Sequence, residues 1–389
     1  MGASKKKKGG WLHRIVFVPA MLVAIGLFLC FALRFIAPEK LFFPSLFGLA
    51  FPILLLLGMG LTILYLIFLR WEVLVFALCV GLNYTNTVCL LRGKGMSEPP
   101  RSEWAAPDRF KLLTYNVRLF NFYGEIPGEK GAIKDELLDY IKDQDADIVC
   151  LQEYYESKDG SFSLGRVLPD AGYLYHTRAA SNKNFYYGNI IYSKYPILNQ
   201  GCLEGMSTFD VVFADLLMGK DTLRVYNIHL ESNRFDKTDR AFFESVLAAS
   251  SNPVKDKKYT HGAKRMLGKM RKATISRSEQ IRQISLHTQI SHSPSRIIVC
   301  GDMNDQPVSY AYGYMRRNGF GDAFVDAGSG FGQSYRGYYP SYRIDYILYK
   351  GGLETLYFDT RNVDYSDHKP LTAIFSKQPQ PDGAAYPSR

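Results

Sequence analysis

Cysteine is sparse in this 389-residue chain, six in all, and no Cys/His cluster has the spacing of a zinc ligand set. A small disulfide-stapled scaffold is thereby excluded. The 33 glycines follow no period and no internal repeat is evident, which removes collagen-like and solenoid architectures. Acid is scarce at the front. Residues 1–94 carry 10 Lys/Arg against 2 Asp/Glu, so they hold +8 of the formal +10, and residues 95–389 are near balance at +2. The basic excess belongs to the front segment and does not by itself argue for nucleic acid. With 47% apolar and 14% aromatic residues the chain can bury a core, which excludes disorder.

Charge is missing altogether from Ser45–Leu69, and Ile15–Ile36 is interrupted mainly by Arg34. Each run is long enough to cross about 30 Å of hydrocarbon as a helix, and neither shows the polar face that a helix of a soluble domain keeps. A third run, Trp71–Leu91, begins with Val73–Leu82, meets Asn83, Tyr84, Thr85, Asn86 and Thr87, and resumes at Val88. Residues 1–92 therefore read as a retained membrane anchor of two or three transmembrane helices, in contact with membrane lipids. Lys5–Lys8 place the N-terminus on the cytoplasmic side, and Arg70 suits that side after two crossings. Three spans put everything after residue 92 outside the inner (cell) membrane. Two spans keep it in the cytoplasm, the side that Arg92, Lys94 and Arg101 favour. The length of the third run favours export. Residues 93–109 read as a linker, 110–377 as one folded domain, and 378–389 as a loose tail.

From residue 110 onward, short β-branched and aromatic runs recur between turn signals, with amphipathic helical stretches at Lys130–Lys142 and Ala263–His287. The pattern is α+β, and its length suits one two-sheet domain. Most strands end in a polar residue able to do chemistry. Asn116 follows KLLTY, Glu153 follows DIVCLQ, His229 follows LRVYNI, Asp302 and Asn304 follow IIVCG, Asp345 lies in YRIDYIL, and Asp367 and His368 precede the last strand. Such groups at strand ends are what a pocket at one edge of packed sheets requires. Carboxylate and amide oxygens suit a hard divalent cation, Mg²⁺ or Mn²⁺ rather than zinc, and the set as a whole suits cleavage of a phosphate ester.

The words TYN, LQE, NIHL, GDMN, RIDYI and SDH, in this order, resemble those of the endonuclease/exonuclease/phosphatase superfamily. The resemblance implies a four-layer α/β/β/α sandwich of the DNase I-like type, here preceded by transmembrane helices. It implies a metal site at Asn116 and Glu153, with Asp367 as a further metal-side acid. Asp302 would orient or deprotonate the attacking water, and Asn304 would donate to the phosphate. Asp345 would pair with His368, whose imidazolium faces the charge developing on phosphorus, and His229 would donate to the phosphate or leaving oxygen. Either Asp302 or a histidine could be the base, and Asp345 could instead be an ion-pair partner of Arg343.

Asn189, in YGNIIYSKYPI, is a pocket residue or a residue that satisfies backbone groups. Lys255–Arg282 carries 10 Lys/Arg against 2 acids, a surface for nucleic-acid phosphates or anionic headgroups, or a solvated helix face. The aromatic loop Phe331–Tyr342 could stack on a base or sugar, or only pack. The expectation is a membrane-anchored phosphoesterase acting on a lipid or inositol phosphodiester or on nucleic acid, with no protein partner implied. The alternatives are a catalytically silent phosphate- or lipid-binding module and a membrane scaffold that retains the fold.

Overall fold

Apolar residues fill consecutive rather than alternate positions of the strands, which requires cover on both faces of each sheet. The computed structural model describes residues 11–43, 45–104, 106–121, 132–160, 167–177, 180–181, 183–248, 257–290, 294–337 and 343–379, and it supplies that cover as four layers, α/β/β/α.

The front of the chain forms α1 (Trp11–Leu33), α2 (Ser45–Ile67), α3 (Val73–Leu82) and α4 (Tyr84–Leu90). Val16–Leu33 and Phe47–Ile67 are long and apolar enough to cross a membrane, and α3 with α4 could form one further span bent by 54°. The polar stretch that interrupts the third run is this bend. Asn83 donates through Nδ2 to Leu27 O and Cys79 O, both at 2.9 Å, and Asn86 donates to Asn83 Oδ1 at 2.8 Å. Amides that are costly against hydrocarbon are thus used to hold the bend onto α1. Residues 93–109, expected as a linker, contain the one-turn α5 (Arg101–Trp104), and Trp104 packs against Tyr357 and Ile374.

The remaining chain runs β1 (Arg109–Asn116), α6 (Ala132–Gln144), β2 (Ile148–Ser157), α7 (Val167–Asp170), β3 (Tyr175–His176), β4 (Ala180–Ser181), β5 (Phe185–Ser193), β6 (Ile197–Gly201), β7 (Val211–Met218) and β8 (Asp221–His229). It continues through α8 (Lys237–Ala248), α9 (Lys257–His287), β9 (Arg296–Asp302), α10 (Tyr310–Arg317), β10 (Gly321–Asp322), α11 (Ala323–Ala327), β11 (Asp345–Lys350), β12 (Leu353–Thr360) and β13 (Leu371–Lys377). One sheet has the order β12-β13-β1-β2-β5-β3, with β4 also on β5, and the other β10-β11-β9-β8-β7-β6. Two neighbouring pairs are parallel, β1 with β2 and β8 with β9. A parallel pair needs a crossover, and α6 supplies one while α8 and α9 supply the other. Phe110, Leu112 and Cys150 of one sheet meet Val225, Ile298 and Cys300 of the other in the central core. Leu137 and Ile141 of α6 cover one outer face, and Ile281 and Ile284 of α9 with Tyr312 of α10 cover the other.

The front helices dock on the second of these faces. Arg343 donates through Nη1 to Cys89 O at 2.9 Å, Tyr312 donates through its hydroxyl to Cys89 Sγ at 3.0 Å, and Ser278 donates to Glu39 at 3.0 Å. The α1–α2 connection and the end of α4 therefore meet the same side of the sandwich. All six cysteines are free, five of them buried and Cys202 exposed.

Candidate active site

Carboxyl ends of neighbouring parallel strands are where a crossover opens a crevice. Both parallel pairs present polar residues there. Asn116 ends β1 beside Glu153 of β2, and His229 ends β8 beside Asp302 at the end of β9. His229 and Asp302 are register partners, and Asp345 of β11 flanks Asp302 from the other side.

Three local departures from regular strand aim these groups. The β2–β5 register slips between Leu151 and Tyr154, and within the slip Glu153 adopts a φ of +50°. A bulge of this kind re-aims one side chain out of the pleat. Gly301 has a φ of +125°, and a Cβ there would lie 2.1 Å from Ile228 O, so β8 and β9 approach this closely under His229 and Asp302 only through glycine. Arg118–Asn121 all have φ between 43° and 56°, a left-handed turn that carries the Arg118 guanidinium to 2.8 Å from Asp367.

The groups converge on one oxygen. Asp302 Oδ2 lies 3.2 Å from Asn116 Nδ2, 3.7 Å from His229 Nε2 and 3.6 Å from His368 Nε2. Asn116 Nδ2 also donates to Glu153 Oε1 at 3.1 Å, and His229 Nε2 stands 3.8 Å from the same oxygen. Behind His368, Nδ1 lies 2.9 Å from Asp345 Oδ2. Ser366 fastens the last loop, donating to Asn116 O at 2.8 Å while accepting from His368 N–H at 3.2 Å.

Burial and charge set the protonation states. Desolvation, then the neighbouring Asp345, pushes the Asp302 carboxyl up to about 6. Burial alone would lower the His368 imidazole, but Asp345 and then Asp302 outweigh it and raise it to about 10. At neutral pH the cluster therefore holds an imidazolium between carboxylates.

Beneath the site the two sheets are tied by amides. Gln152 donates through Nε2 to Asn227 Oδ1 at 2.6 Å and to Thr114 Oγ1 at 2.9 Å, and Asn227 donates to Leu151 O at 2.9 Å and Ile190 O at 2.8 Å. These buried donors and acceptors lock β8 of one sheet against β1, β2 and β5 of the other, directly below the bearing groups.

The profile of the endonuclease/exonuclease/phosphatase family matches residues 113–368. The chain belongs to this family. A second profile, of a domain of unknown function, matches residues 13–88. A search of curated proteins finds no match. Similar solved structures include an endonuclease/exonuclease/phosphatase from Beutenbergia cavernae, 15% identical over 72% of this chain and 74% of that one with a TM-score of 0.48. One from Bacteroides vulgatus is 18% identical over 69% and 99%, with a TM-score of 0.46. The human Nocturnin catalytic domain is 18% identical over 72% and 99%, also with a TM-score of 0.46.

In this member of the family, Asn116, Glu153, His229, Asp302, Asp345 and His368 come together. Asn304 adjoins them, donating its backbone N–H to Asp302 Oδ1 at 2.7 Å and its Nδ2 to Leu230 O at 2.9 Å. Asp367 is engaged by Arg118, so a place for it beside a metal requires that pair to part. Asn189 is fully buried and donates to Phe209 O at 3.0 Å. Asp345 is not the partner of Arg343, which pairs with buried Asp322. The basic stretch is partly consumed internally, with Arg265 and Lys269 on Asp239 and Arg277 on Asp305, while Lys264, Arg271 and Lys272 face solvent. In the aromatic loop residues 338–342 lie outside the described residues, and Tyr335 stands edge-on to His368 with ring centroids 5.1 Å apart. Residues 1–10, with Lys5–Lys8, and residues 380–389 of the tail also lie outside them.

The donor set fits a hard divalent cation. Glu153 and Asp302 are like charges drawn together around a single amide and a single imidazole, in a crevice where Glu153 stays 30% exposed. That is an oxygen-rich arrangement that a cation stabilises. Asp302, Asp345 and His368 also have ligand atoms within 4.8 Å of one another. There His368 already stands between the two acids, whereas the grouping that includes Glu153 is the more open of the two to a cation. Arg118, Gln152, Asn227 and Tyr335 were not singled out as site residues from the sequence. The first three sit inside or just after the family words and Tyr335 in the aromatic loop, and nothing local marks them as different from packing residues.

Proposed function

We propose that this protein is a membrane-anchored phosphoesterase that requires Mg²⁺ or Mn²⁺ and hydrolyses a phosphate ester by in-line attack of water. The observation that supports it most is the convergence of Asn116, His229 and His368 on Asp302 Oδ2, with Glu153 and Asp345 immediately beside them. Glu153 and Asn116 would hold the cation. When bound, the cation offsets phosphate charge and polarises the ester. Asp302 is largely ionised at neutral pH and acts on the attacking water as orienting group and base. His368 is protonated at that pH and so serves as donor to a phosphoryl oxygen, not as base. Asp345 holds the tautomer that leaves Nε2 facing the site. His229 and Asn304 complete the donors around the phosphate.

The anchor supports three crossings, with the sandwich on the side opposite the N-terminus and Lys5–Lys8 keeping that terminus cytoplasmic. The full chain in detergent should hydrolyse bis-p-nitrophenyl phosphate with Mg²⁺ or Mn²⁺, and EDTA should abolish the activity. Asp302→Asn and His368→Ala should each lower turnover by about 10² or more. Full rate in both variants excludes the mechanism.

A further inference from the structure

A cavity of about 480 Å³ adjoins the acid–imidazole cluster, within the range of about 300–1,000 Å³ usual for ligand sites. Its first wall belongs to the site. Asn304 caps Asp302, and the ring of Tyr335 abuts His368. Another part of the lining is the end of α1 and the start of α2, with Leu33, Ser45, Gly48 and Leu49, of which Gly48 packs against Gln306 of the loop that carries Asn304. The lining also includes Phe243 of α8 and, one helical turn apart on the same face of α9, Met266 and Met270. Methionine is unbranched and polarisable and accommodates flexible hydrocarbon. Arg234, exposed and paired with Glu231, and Arg277, held 3.2 Å from Asp305, also line it. A site for a nucleic-acid strand needs an open cationic groove with stacking faces. This cavity instead leads from the site to the ends of helices apolar enough to cross a bilayer.

We infer that the substrate is a membrane amphiphile, a phosphate ester carrying a hydrocarbon tail, which enters from the bilayer between α9 and the α1–α2 turn. The phosphate reaches His229, Asn304 and His368 while the tail fills the cavity along Met266 and Met270. The inference rests on the phosphoesterase reading and adds the substrate class to it.

The test uses the full chain in lipid nanodiscs and a series of alkyl phosphates, hexyl, octyl and decyl, as competitive inhibitors of bis-p-nitrophenyl phosphate hydrolysis. Each buried methylene can tighten binding by up to about fourfold, so inhibition by decyl phosphate should exceed that by hexyl phosphate at least tenfold. Met266→Trp and Met270→Trp, which fill the cavity, should each cut that preference at least fivefold. Partition into the disc is common to all three proteins, so an equal preference in wild type and both variants overturns the inference. Tighter competition by a single-stranded oligothymidylate than by decyl phosphate also overturns it. Independently of turnover and of variant folding, a decyl phosphate with a terminal photoreactive group should label α8 or α9 of the wild-type protein, and labelling confined to other segments rejects the cavity. Absence of any ester hydrolysis defeats the phosphoesterase reading instead, and the labelling result then decides the cavity on its own.

Discussion

Replacing Asp345 by Asn keeps an acceptor for His368 Nδ1 but removes the charge, so it separates orientation from electrostatics. His368 stands at about 10 because Asp345 and Asp302 outweigh its burial. With a raised folded value, the proton is held fully below the ordinary 6.5 and lost as pH rises through about 10. In the variant the largest of the contributions that raise the imidazole is gone, so burial pulls it down from about 10 against Asp302. Each unit of that fall is worth about tenfold in the imidazolium form at pH values above it. The loss should therefore deepen as pH rises and shrink as pH falls. The assay is bis-p-nitrophenyl phosphate hydrolysis at saturating Mg²⁺ from about pH 5 to 10. The wild-type profile should fall on the acid side as Asp302 takes up its proton near 6. The alkaline limb should lie near 10 in the wild type and move toward neutrality in Asp345→Asn. An alkaline limb at the same pH in both proteins refutes the imidazolium as the working form of His368.

Glu153→Gln should abolish turnover at ordinary Mg²⁺ and raise the half-saturating Mg²⁺ concentration at least about tenfold, and an unchanged metal titration removes Glu153 from the metal site. Gly301→Ala places a Cβ 2.1 Å from Ile228 O at a φ of +125°, and should destabilise the fold by at least about 2 kcal/mol in denaturant titration. Native stability in that variant contradicts the close approach of β8 and β9. Asp322→Ala leaves the fully buried Arg343 without its carboxylate, which should cost roughly 3–5 kcal/mol. A thermal midpoint equal to that of the wild type counts against the pair.

The residues that converge on Asp302 were legible because each is a polar side chain at or beside the end of an apolar strand, where its presence needs a reason. Asn116, His229, Asp302 and His368 were found this way, and the family words put them in order. The support beneath them was not legible. Gln152 and Asn227 lie within LQE and NIHL one and two residues from the acting groups, and only the packing of two sheets shows that they bond to each other at 2.6 Å. The conformation of Glu153 was equally hidden, since a bulge depends on the register with β5 and not on the residue itself. Arg343 lies two residues from Asp345, which invited a local ion pair, but it precedes β11, and the long-range partner Asp322 took the guanidinium. The basic helix misled for a related reason. Charge counted along the chain ignores the acids that tertiary contact brings to it, and Asp236, Asp239 and Asp305 neutralise part of the run. The cavity could not be read at all, because its walls come from α8, α9, α10, three loops and the front hairpin.

The same contacts bear on how many times the chain would cross a bilayer in the proposed anchoring. The α1–α2 connection touches the sandwich through Glu39, and the chain returns to it at Cys89. Between these points it travels out along α2 and back along α3 and α4. A straight return by 23 residues, as in α2, covers about 35 Å, whereas the 10 and 7 residues of α3 and α4 cover about 26 Å. That is somewhat less than the hydrocarbon thickness of about 30 Å. In the proposed anchoring, a short, bent third passage that ends in contact with the sandwich would draw the domain down onto the bilayer surface and bring the part of the cavity lined by Leu33 and Leu49 toward lipid. The proposed anchoring uses an odd number of crossings. In sealed spheroplasts trypsin should therefore cut at exposed Lys264, Arg271 and Lys272 without lysis, while an epitope at the N-terminus stays protected. Protection of the sandwich until the membrane is opened would mean two crossings, and the close docking of α4 would then have to be abandoned along with the route from the bilayer into the cavity.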